Sequence, residues 1–213
     1  MNHRSILENI FNQFPFTTTR IESIEPYVRA PWWTSRTRTE IAADKEAAKI
    51  LYDQLSNSTP DNTMTIYMDG SGIKELIGAA AYNKTVDETA HQHLRRSTQY
   101  NVYDAELIAL KLGITLWQNH AHNFPQCYIF TDNQAVSTSI QKPQRQSGQH
   151  IIALILDRID QIMEHHPQRH LRIIWIPDHM DIEGNEWVDE EAKRAATDPT
   201  IHASFRHLPL KSS

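Results

Sequence analysis

The sequence predicts an α/β protein with a mixed sheet and helices on both faces. From residue 63 onward, short apolar stretches alternate with amphipathic helical patterns, which is typical of this class. The predicted element order is β-β-β-α-β-α-α-β-α, which combines antiparallel hairpins with strand–helix–strand crossovers. Of the strands near residues 66, 128 and 173, two are nearly continuous apolar runs. Such runs indicate buried, parallel strands.

The first half of this region predicts three strands and a long helix. The strands span residues 65–69, 77–82 and 88–98, and the polar third strand is placed at an edge. Asn101 is a plausible cap for a helix that runs to about residue 120. Leu107, Leu110 and Ile114 lie on one face of this helix, and further apolar positions widen that face. We therefore expect a well-buried helix.

The second half predicts two strands and three helices. In chain order they are a strand at 127–131, helices at 133–140 and 150–165, a strand at 171–176, and a helix at 185–196. A polar break at 142–148 separates the first two helices, and Pro199 marks the end of the last one.

Residues 1–62 are predicted to be an extension or linker before a domain at 63–198, with a tail at 199–213. Prolines interrupt the opening, and Thr37-Arg-Thr-Glu40 matches a capping box. Apolar positions at helical spacing follow, so a helix is predicted near 39–55. This region has too few apolar positions to bury a core of its own.

Composition excludes several classes of protein. No apolar run approaches the roughly 20 residues of a membrane span, and residues 1–5 lack the features of a secretory signal. The single cysteine, Cys127, excludes an internal disulfide and is expected to be a buried thiol in a reducing compartment. Twelve histidines lack the spacing of a zinc site.

The net charge of −5 arises from residues 61–213 and predicts weak, salt-dependent affinity for nucleic acid.

Four carboxylates occupy element ends where they can converge. Asp69 and Asp132 each end a predicted parallel strand, Glu106 lies in the first turn of its helix, and Asp189 lies early in the last helix. Ligand sites in open α/β sheets lie outside the carboxyl ends of such strands. Carboxylates only a few Å apart repel each other, and Mg²⁺ removes that conflict. Two such ions can support phosphodiester cleavage.

Each acid also has a simpler interpretation. Asp69 precedes a glycine and is typical of a turn, and Glu106 can favour a helix dipole. Asp132 with Asn133 can cap a helix, and Asp189 can pair with Lys193 one turn later. The joint placement of all four acids favours the metal site.

Four sequence blocks resemble the motifs of type 1 ribonuclease H. The first three blocks are Met68-Asp-Gly-Ser71, Ala105-Glu-Leu-Ile-Ala-Leu110 and Phe130-Thr-Asp-Asn-Gln-Ala135. The fourth block starts with Trp175-Ile-Pro-Asp-His179 and continues to Lys193. The resemblance covers roughly residues 63–198 and preserves the order of the motifs. It implies a ribonuclease H-like fold with a five-stranded mixed sheet. It also implies endonucleolytic cleavage of the RNA strand of RNA–DNA hybrids, with 5′-phosphate products.

The resemblance assigns roles residue by residue. Asp69, Glu106, Asp132 and Asp189 take the metal-ligand positions for two Mg²⁺ ions, with Mn²⁺ as a substitute. His179 takes the place of a mobile histidine linked to proton transfer or product release. Three further candidates for nucleic-acid contact are Gly70, Ser71 and Asn133.

The chain departs from the family pattern around His179. The family block usually reads Pro-Gly-His, then a small residue and Gly, whereas this chain has Pro177-Asp-His-Met-Asp181. The change is expected to stiffen the loop and to add two acids near a negative substrate. The basic handle of some bacterial members is also absent from 133–165.

The proline-punctuated opening, Ile24 to Trp33, resembles the segment before ribonuclease H in fungal non-LTR (LINE-type) retrotransposon polyproteins. That resemblance implies a reverse transcriptase domain as a partner in a parent polyprotein, and an intracellular location in either the nucleus or the cytoplasm. Two other functions stay open. One is a catalytically weak or inactive remnant that binds nucleic acid or a protein, and the other is a four-acid 3′–5′ exonuclease. The last motif block argues against the exonuclease.

Overall fold

A computed structural model describes residue 29 and residues 32–97, 100–144, 146–164, 166–178 and 180–200, with only the backbone for Arg95 and Arg96. The described elements follow the predicted order, preceded by one additional strand. The strands are β1 Arg38–Glu40, β2 Thr63–Ile73, β3 Leu76–Asn83, β4 Glu88–Arg96, β5 Gln126–Thr131 and β6 His170–Trp175. The helices are α1 Lys45–Ser58, α2 Val102–His120, α3 Gln134–Gln141, α4 Gln149–Glu164 and α5 Glu183–Thr197.

The sheet is mixed, in the order β1-β6-β5-β2-β3-β4. β2, β5, β6 and β1 pair in parallel, and β2, β3 and β4 form the antiparallel meander. The α/β class, the mixed sheet and the parallel pairing of the three central strands are confirmed. The predicted number of five strands was too low by one, because β1 adds an edge strand beside β6.

Two apolar clusters cover the two faces of the sheet. The larger one joins β2 side chains such as Ile66 and Met68 to α2 and α4, and it contains the fully buried Cys127 as predicted. The smaller one contains Tyr67, Phe130 and Val188 and packs beneath α5 and α1. Helices therefore cover both faces.

Helix α2 begins as the sequence predicts. Asn101 accepts a hydrogen bond from the Asp104 backbone N–H at 2.8 Å, and the Asp104 carboxylate accepts one from the Asn101 N–H at 3.0 Å. These reciprocal bonds satisfy two backbone donors at the helix start. They fix the position of the turn that carries Glu106.

The predicted helix near 39–55 was placed too early. Thr37 to Glu40 does not form a capping box, because Arg38–Glu40 is strand β1. The helix begins at Lys45, where Asp44 caps it by accepting a hydrogen bond from the Ala47 N–H at 2.8 Å. The division of the whole chain into 1–62, 63–198 and 199–213 stays a prediction.

Among the helices of the described segments, none combines the length and the apolar character that a membrane span requires.

Candidate active site

Two of the four predicted acids lie at the carboxyl end of adjacent parallel strands. Asp69 is in β2, and Asp132 directly follows β5. Tyr67 and Phe130 are register partners across these strands, so each acid comes two residues after a paired position. Asp69 is 8% exposed, whereas Asp132 is half-buried. The strand pairing thus brings the two carboxylates to the same edge of the sheet, as predicted.

Glu106 reaches this edge because α2 packs directly against the end of β2. A Cβ atom placed on Gly70 would lie 2.5 Å from the Glu106 backbone N and 2.8 Å from the Ala105 carbonyl carbon. Only glycine permits that approach, since both neighbours are backbone atoms. The contact buries Glu106, which is 5% exposed, beside Asp69.

Asp69, Glu106 and Asp132 form a cluster of carboxylates. One oxygen from each side chain lies within 4.8 Å of the oxygens of the other two. Burial and the neighbouring charges of Asp132 and Asp189 raise the pKa of Asp69 to about 7. Burial, together with Asp69 and Asp132, also raises the pKa of Glu106 well above its usual range. For Asp132, burial and the charge of Asp178 raise the pKa.

The cluster fits a divalent cation. Glu106 Oε2 is buried and has no hydrogen-bond partner among the described residues. A buried carboxylate oxygen without a partner is costly, and a cation would satisfy it. Three carboxylates also supply the hard oxygen ligands that Mg²⁺ and Mn²⁺ accept. The donor set and the orphaned oxygen therefore agree with the predicted type of site.

Asp189 lies beside this cluster rather than in it. Its charge raises the pKa of both Asp69 and Asp132, so it faces the same site. Its side chain is 41% exposed, and its Oδ2 accepts from Lys193 Nζ at 2.6 Å. This is the helical ion pair that the simpler interpretation of Asp189 predicts. The structure thus brings three of the predicted ligands together. The fourth, Asp189, lies outside the cluster and pairs with Lys193.

The other candidate residues have different surroundings. Asn133 caps α3 by accepting from the Val136 N–H at 3.2 Å, and its side-chain hydrogen bond to Glu106 lowers that residue's pKa. Ser71 is half-buried in β2, one residue beyond the buried Gly70. His179 lies outside the described residues. Contacts of Gly70, Ser71 and Asn133 with nucleic acid stay predictions.

The loop after His179 contains one residue with the backbone conformation that glycine favours. Asp181 has φ of 52°, in the left-handed region that glycine adopts most readily. It occupies the second of the two positions where the family pattern has glycine. Asp178 is exposed, and its charge raises the pKa of Asp69 and Asp132. The loop therefore adds negative charge beside the cluster, as the sequence indicates.

Asn185 is a site residue that sequence reasoning missed. It lies in the first turn of α5, is 7% exposed, and makes a side-chain hydrogen bond that lowers the pKa of Asp132. Its Oδ1 is buried without a hydrogen-bond partner among the described residues. The available signal was its place between Gly184 and Asp189 in the last motif block.

A groove that the sequence did not predict opens between α2, α3 and the loop before α4. It has a volume of about 510 Å³, and its mainly apolar lining carries a few hydroxyl and amide groups. Tyr103 Oη lies 2.6 Å from Ser139 Oγ and accepts a hydrogen bond from Gln146 Nε2 at 3.1 Å. Tyr103 is in the turn before Glu106, and Gln134 is two residues after Asp132. The groove therefore includes neighbours in sequence of Glu106 and Asp132, although none of the four acids lines it.

Comparison with solved structures gives weak likenesses to several RNase H proteins. RNase H1 from Halobacterium salinarum is 15% identical, with a TM-score of 0.48, over 62% of this chain and 96% of that chain. LC11-RNase H1 in complex with an RNA/DNA hybrid is 14% identical, with a TM-score of 0.45, over 62% and 98%. The N-terminal RNase H domain of a Mycobacterium tuberculosis protein is 15% identical, with a TM-score of 0.44, over 63% and 93%. At these values the likenesses carry no further argument.

The sequence model of the RNase H family provides the stronger finding. It matches residues 61–197, which is well over half of the chain and spans β2 to α5. All four predicted acids and all residues that line the groove lie inside this segment. The chain belongs to the RNase H family.

Proposed function

We propose that this protein is a metal-dependent endonuclease that hydrolyses the RNA strand of RNA–DNA hybrids and leaves 5′-phosphate ends. The observation that carries the proposal is the cluster of Asp69, Glu106 and Asp132, whose carboxylate oxygens lie within 4.8 Å of one another. Membership of the RNase H family supports the substrate, and the orphaned Glu106 oxygen supports the need for a cation.

Different residues of this chain have different roles at the proposed site. Asp69, Glu106 and Asp132 would hold the cations, and Asp189 would complete the set in place of its pair with Lys193. Bound Mg²⁺ or Mn²⁺ supplies Lewis-acid activation of water and neutralises negative charge at the phosphate. The Gly70 N–H, which hydrogen-bonds to both Asp69 and Glu106, fixes the orientation of those two carboxylates. His179 serves proton transfer or product release.

The groove at Tyr103 offers hydrogen-bonding groups for recognition of a hybrid. RNA is distinguished from DNA by its 2′-hydroxyl, which both donates and accepts hydrogen bonds in a wide, shallow minor groove. Tyr103, Gln134 and Gln146 offer neutral hydroxyl and amide groups for such contacts. Asn133, Ser71 and Gly70 lie on the adjoining edge and complete the proposed nucleic-acid surface.

The parent context is part of the same proposal. The opening segment up to Trp33 resembles the sequence before ribonuclease H in retrotransposon polyproteins, which supports a reverse transcriptase domain as partner. Hybrids are the product of reverse transcription, so such a partner would supply the substrate. The buried thiol Cys127 is consistent with the expected reducing compartment, nucleus or cytoplasm.

Cleavage of an internally labelled RNA strand in an RNA–DNA hybrid tests the proposal. The reaction is run with Mg²⁺, with Mn²⁺ and with EDTA, beside double-stranded RNA and double-stranded DNA. We expect metal-dependent internal cuts in the RNA of the hybrid alone, with 5′-phosphate ends. Release of mononucleotides from one end would instead identify an exonuclease.

The opposite result has a definite meaning. Absence of cleavage with either metal, in protein shown to be folded by circular dichroism, contradicts the proposed activity. The added acids Asp178 and Asp181 would then favour a non-catalytic remnant, and binding of the hybrid in Ca²⁺ would test that alternative.

A further inference from the structure

Helix α1 lies outside the segment that matches the RNase H family, yet it contacts the apolar residues that lie beneath the active site. The match begins at residue 61, whereas α1 spans Lys45–Ser58. Its apolar side chains Leu51, Tyr52 and Leu55 pack against the cluster that contains Tyr67 and Phe130. These two aromatic residues are register partners on β2 and β5. Each lies two residues before a carboxylate of the cluster.

Tyr52 contacts both members of this aromatic pair. Its ring lies 5.2 Å from that of Phe130 in an edge-on arrangement, and Tyr67 stacks on Phe130 at 5.3 Å. The hydroxyls of Tyr52 and Tyr67 are 2.9 Å apart and share a hydrogen bond. Tyr67 is 1% exposed, so its hydroxyl would be costly to bury without that bond. Tyr52 therefore fixes the position of the Tyr67 side chain.

Tyr67 in turn supports the start of α5. A Cβ atom on Gly184 would lie 2.3 Å from Tyr67 Cε2, so the first turn of α5 rests directly on the ring. The next residue, Asn185, hydrogen-bonds to Asp132, and Asp189 follows one turn later. A shift of the Tyr67 ring would therefore move α5 relative to the strand ends.

We propose that Tyr52 of α1 is a positioning residue of the active site, acting through Tyr67 on the first turn of α5 and on the strand ends that carry Asp69 and Asp132. The inference rests on the proposed function, because it concerns the same metal site. It makes the segment before the family match part of the catalytic unit. Tyr52 itself touches neither substrate nor metal.

The test compares Tyr52→Ala and Tyr52→Phe with two control variants in the full chain. Leu55→Ala removes another α1 side chain that packs on the same apolar cluster, and Ile50→Ala alters a side chain that is 51% exposed. Three quantities are measured: the melting temperature, the dissociation constant for Mn²⁺ by calorimetry without substrate, and kcat and KM on the hybrid.

We expect Tyr52→Ala to weaken Mn²⁺ binding and to lower kcat by about tenfold, as loss of a supporting contact behind metal ligands does. Tyr52→Phe keeps the ring and loses one hydrogen bond, so it should change both quantities by about threefold. KM should stay unchanged in both variants. Leu55→Ala should lower the melting temperature as much as Tyr52→Ala does, with little effect on Mn²⁺ binding.

Two outcomes overturn the inference, and they are distinguishable. If the unaltered chain binds Mn²⁺ and cleaves the hybrid while Tyr52→Ala matches Leu55→Ala in every quantity, α1 has only a structural role. If the unaltered chain neither binds Mn²⁺ nor cleaves, the proposed function itself fails and the inference fails with it. Should Tyr52→Ala not fold, Tyr52→Phe against Ile50→Ala decides between the same outcomes.

Discussion

The buried acids of the carboxylate cluster and the half-exposed acid on α5 differ in how their negative charge is compensated. Asp69 and Glu106 are 8% and 5% exposed, and their pKa values are raised because burial and neighbouring carboxylates oppose ionisation. Asp189 is half-exposed and has its own cation, Lys193, at 2.6 Å. Among the described residues, no cation forms an ion pair with Asp69 or Glu106, whereas Lys193 forms one with Asp189.

Because of this difference, a metal ion should stabilise the buried cluster more than it stabilises the region around Asp189. A metal ion that enters the buried cluster relieves repulsion and satisfies the orphaned Glu106 oxygen, so its binding is coupled to the stability of the fold. A metal ion that reaches Asp189 must replace an ion pair that costs little to break. We therefore expect the two regions to respond differently to substitution, pH and metal.

The largest effect is expected from Asp132→Asn. The amide cannot supply the negative charge that a divalent cation requires, so cleavage should fall to the EDTA background in the hybrid assay. The fold should persist, because the Trp175 indole donates to the Asp132 backbone carbonyl at 3.0 Å and the substitution leaves that bond intact. Cleavage at the wild-type rate would contradict the assignment of the metal site.

The second effect is the pH dependence of the free energy of unfolding, measured in EDTA so that no metal ion is bound. The folded pKa of Asp69 is about 7, above its usual value near 3.8, so the folded state holds this proton more tightly than the unfolded state does. The free energy of unfolding should therefore fall as pH rises from about 4 to 7 and then level off. Asp69→Asn should reduce this loss without abolishing it, because the pKa values of Glu106 and Asp132 are also raised. Denaturant titrations of both proteins from pH 4 to 8 measure the difference.

Addition of Mg²⁺ provides the control for that experiment. Protons and cations compete for the same carboxylates, so the gain in melting temperature of the unaltered chain should be larger at pH 8 than at pH 5. An equal gain at both values would indicate that the cation binds elsewhere.

A smaller effect is expected from Asp189→Asn. This side chain is outside the three-carboxylate cluster, so kcat should fall by about tenfold, which is typical of a supporting metal contact, rather than to background. Loss of the exposed pair with Lys193 should change the free energy of unfolding by less than about 0.5 kcal/mol. Lys193→Ala, which removes the same pair and keeps the carboxylate, is the matched control and should retain cleavage.

The smallest effect is expected from Asp181→Gly. Its φ of 52° strains a residue with a Cβ atom, so glycine should stabilise the fold by up to about 1 kcal/mol. Asp87→Gly in the β3–β4 turn also replaces an acid at φ of 52° and lies far from the carboxylates along β2 and β3. Chemical denaturation should show a smaller gain for Asp87→Gly, because this change also removes the hydrogen bond from the Tyr82 hydroxyl to the Asp87 carboxylate. Only Asp181→Gly should strengthen hybrid binding, because it removes a negative charge beside the site.

Much of the fold could be predicted because local signals and tertiary structure agree. The Asn101 cap, the wide apolar face of α2 and the apolar runs of β5 and β6 each specify the element that forms. The strand ends then bring Asp69 and Asp132 together, since parallel strands end at a common edge. Glu106 joined them through Gly70, whose close contact with α2 could not be measured from sequence.

The failures concern interactions between distant residues. Thr37 to Glu40 matches a helix cap locally, but pairing with β6 and the two hydrogen bonds from Arg172 to Glu40, at 2.7 and 2.8 Å, favour a strand. The Asn185 contact with Asp132 and the groove at Tyr103 likewise depend on how separate elements meet. For the same reason, the motif alone could not show whether the Asp189 carboxylate joins the other three acids or pairs with Lys193.

Strand β1 also affects how this domain can be handled and kept in solution. Its three residues occupy the outer edge of β6, an apolar strand whose backbone groups would otherwise face solvent. An uncovered apolar edge is a template for pairing with another chain, whereas a very short edge strand bearing charged side chains discourages it. A chain shortened to the family segment 61–197 would uncover that edge and should aggregate, so a useful starting point lies before Arg38.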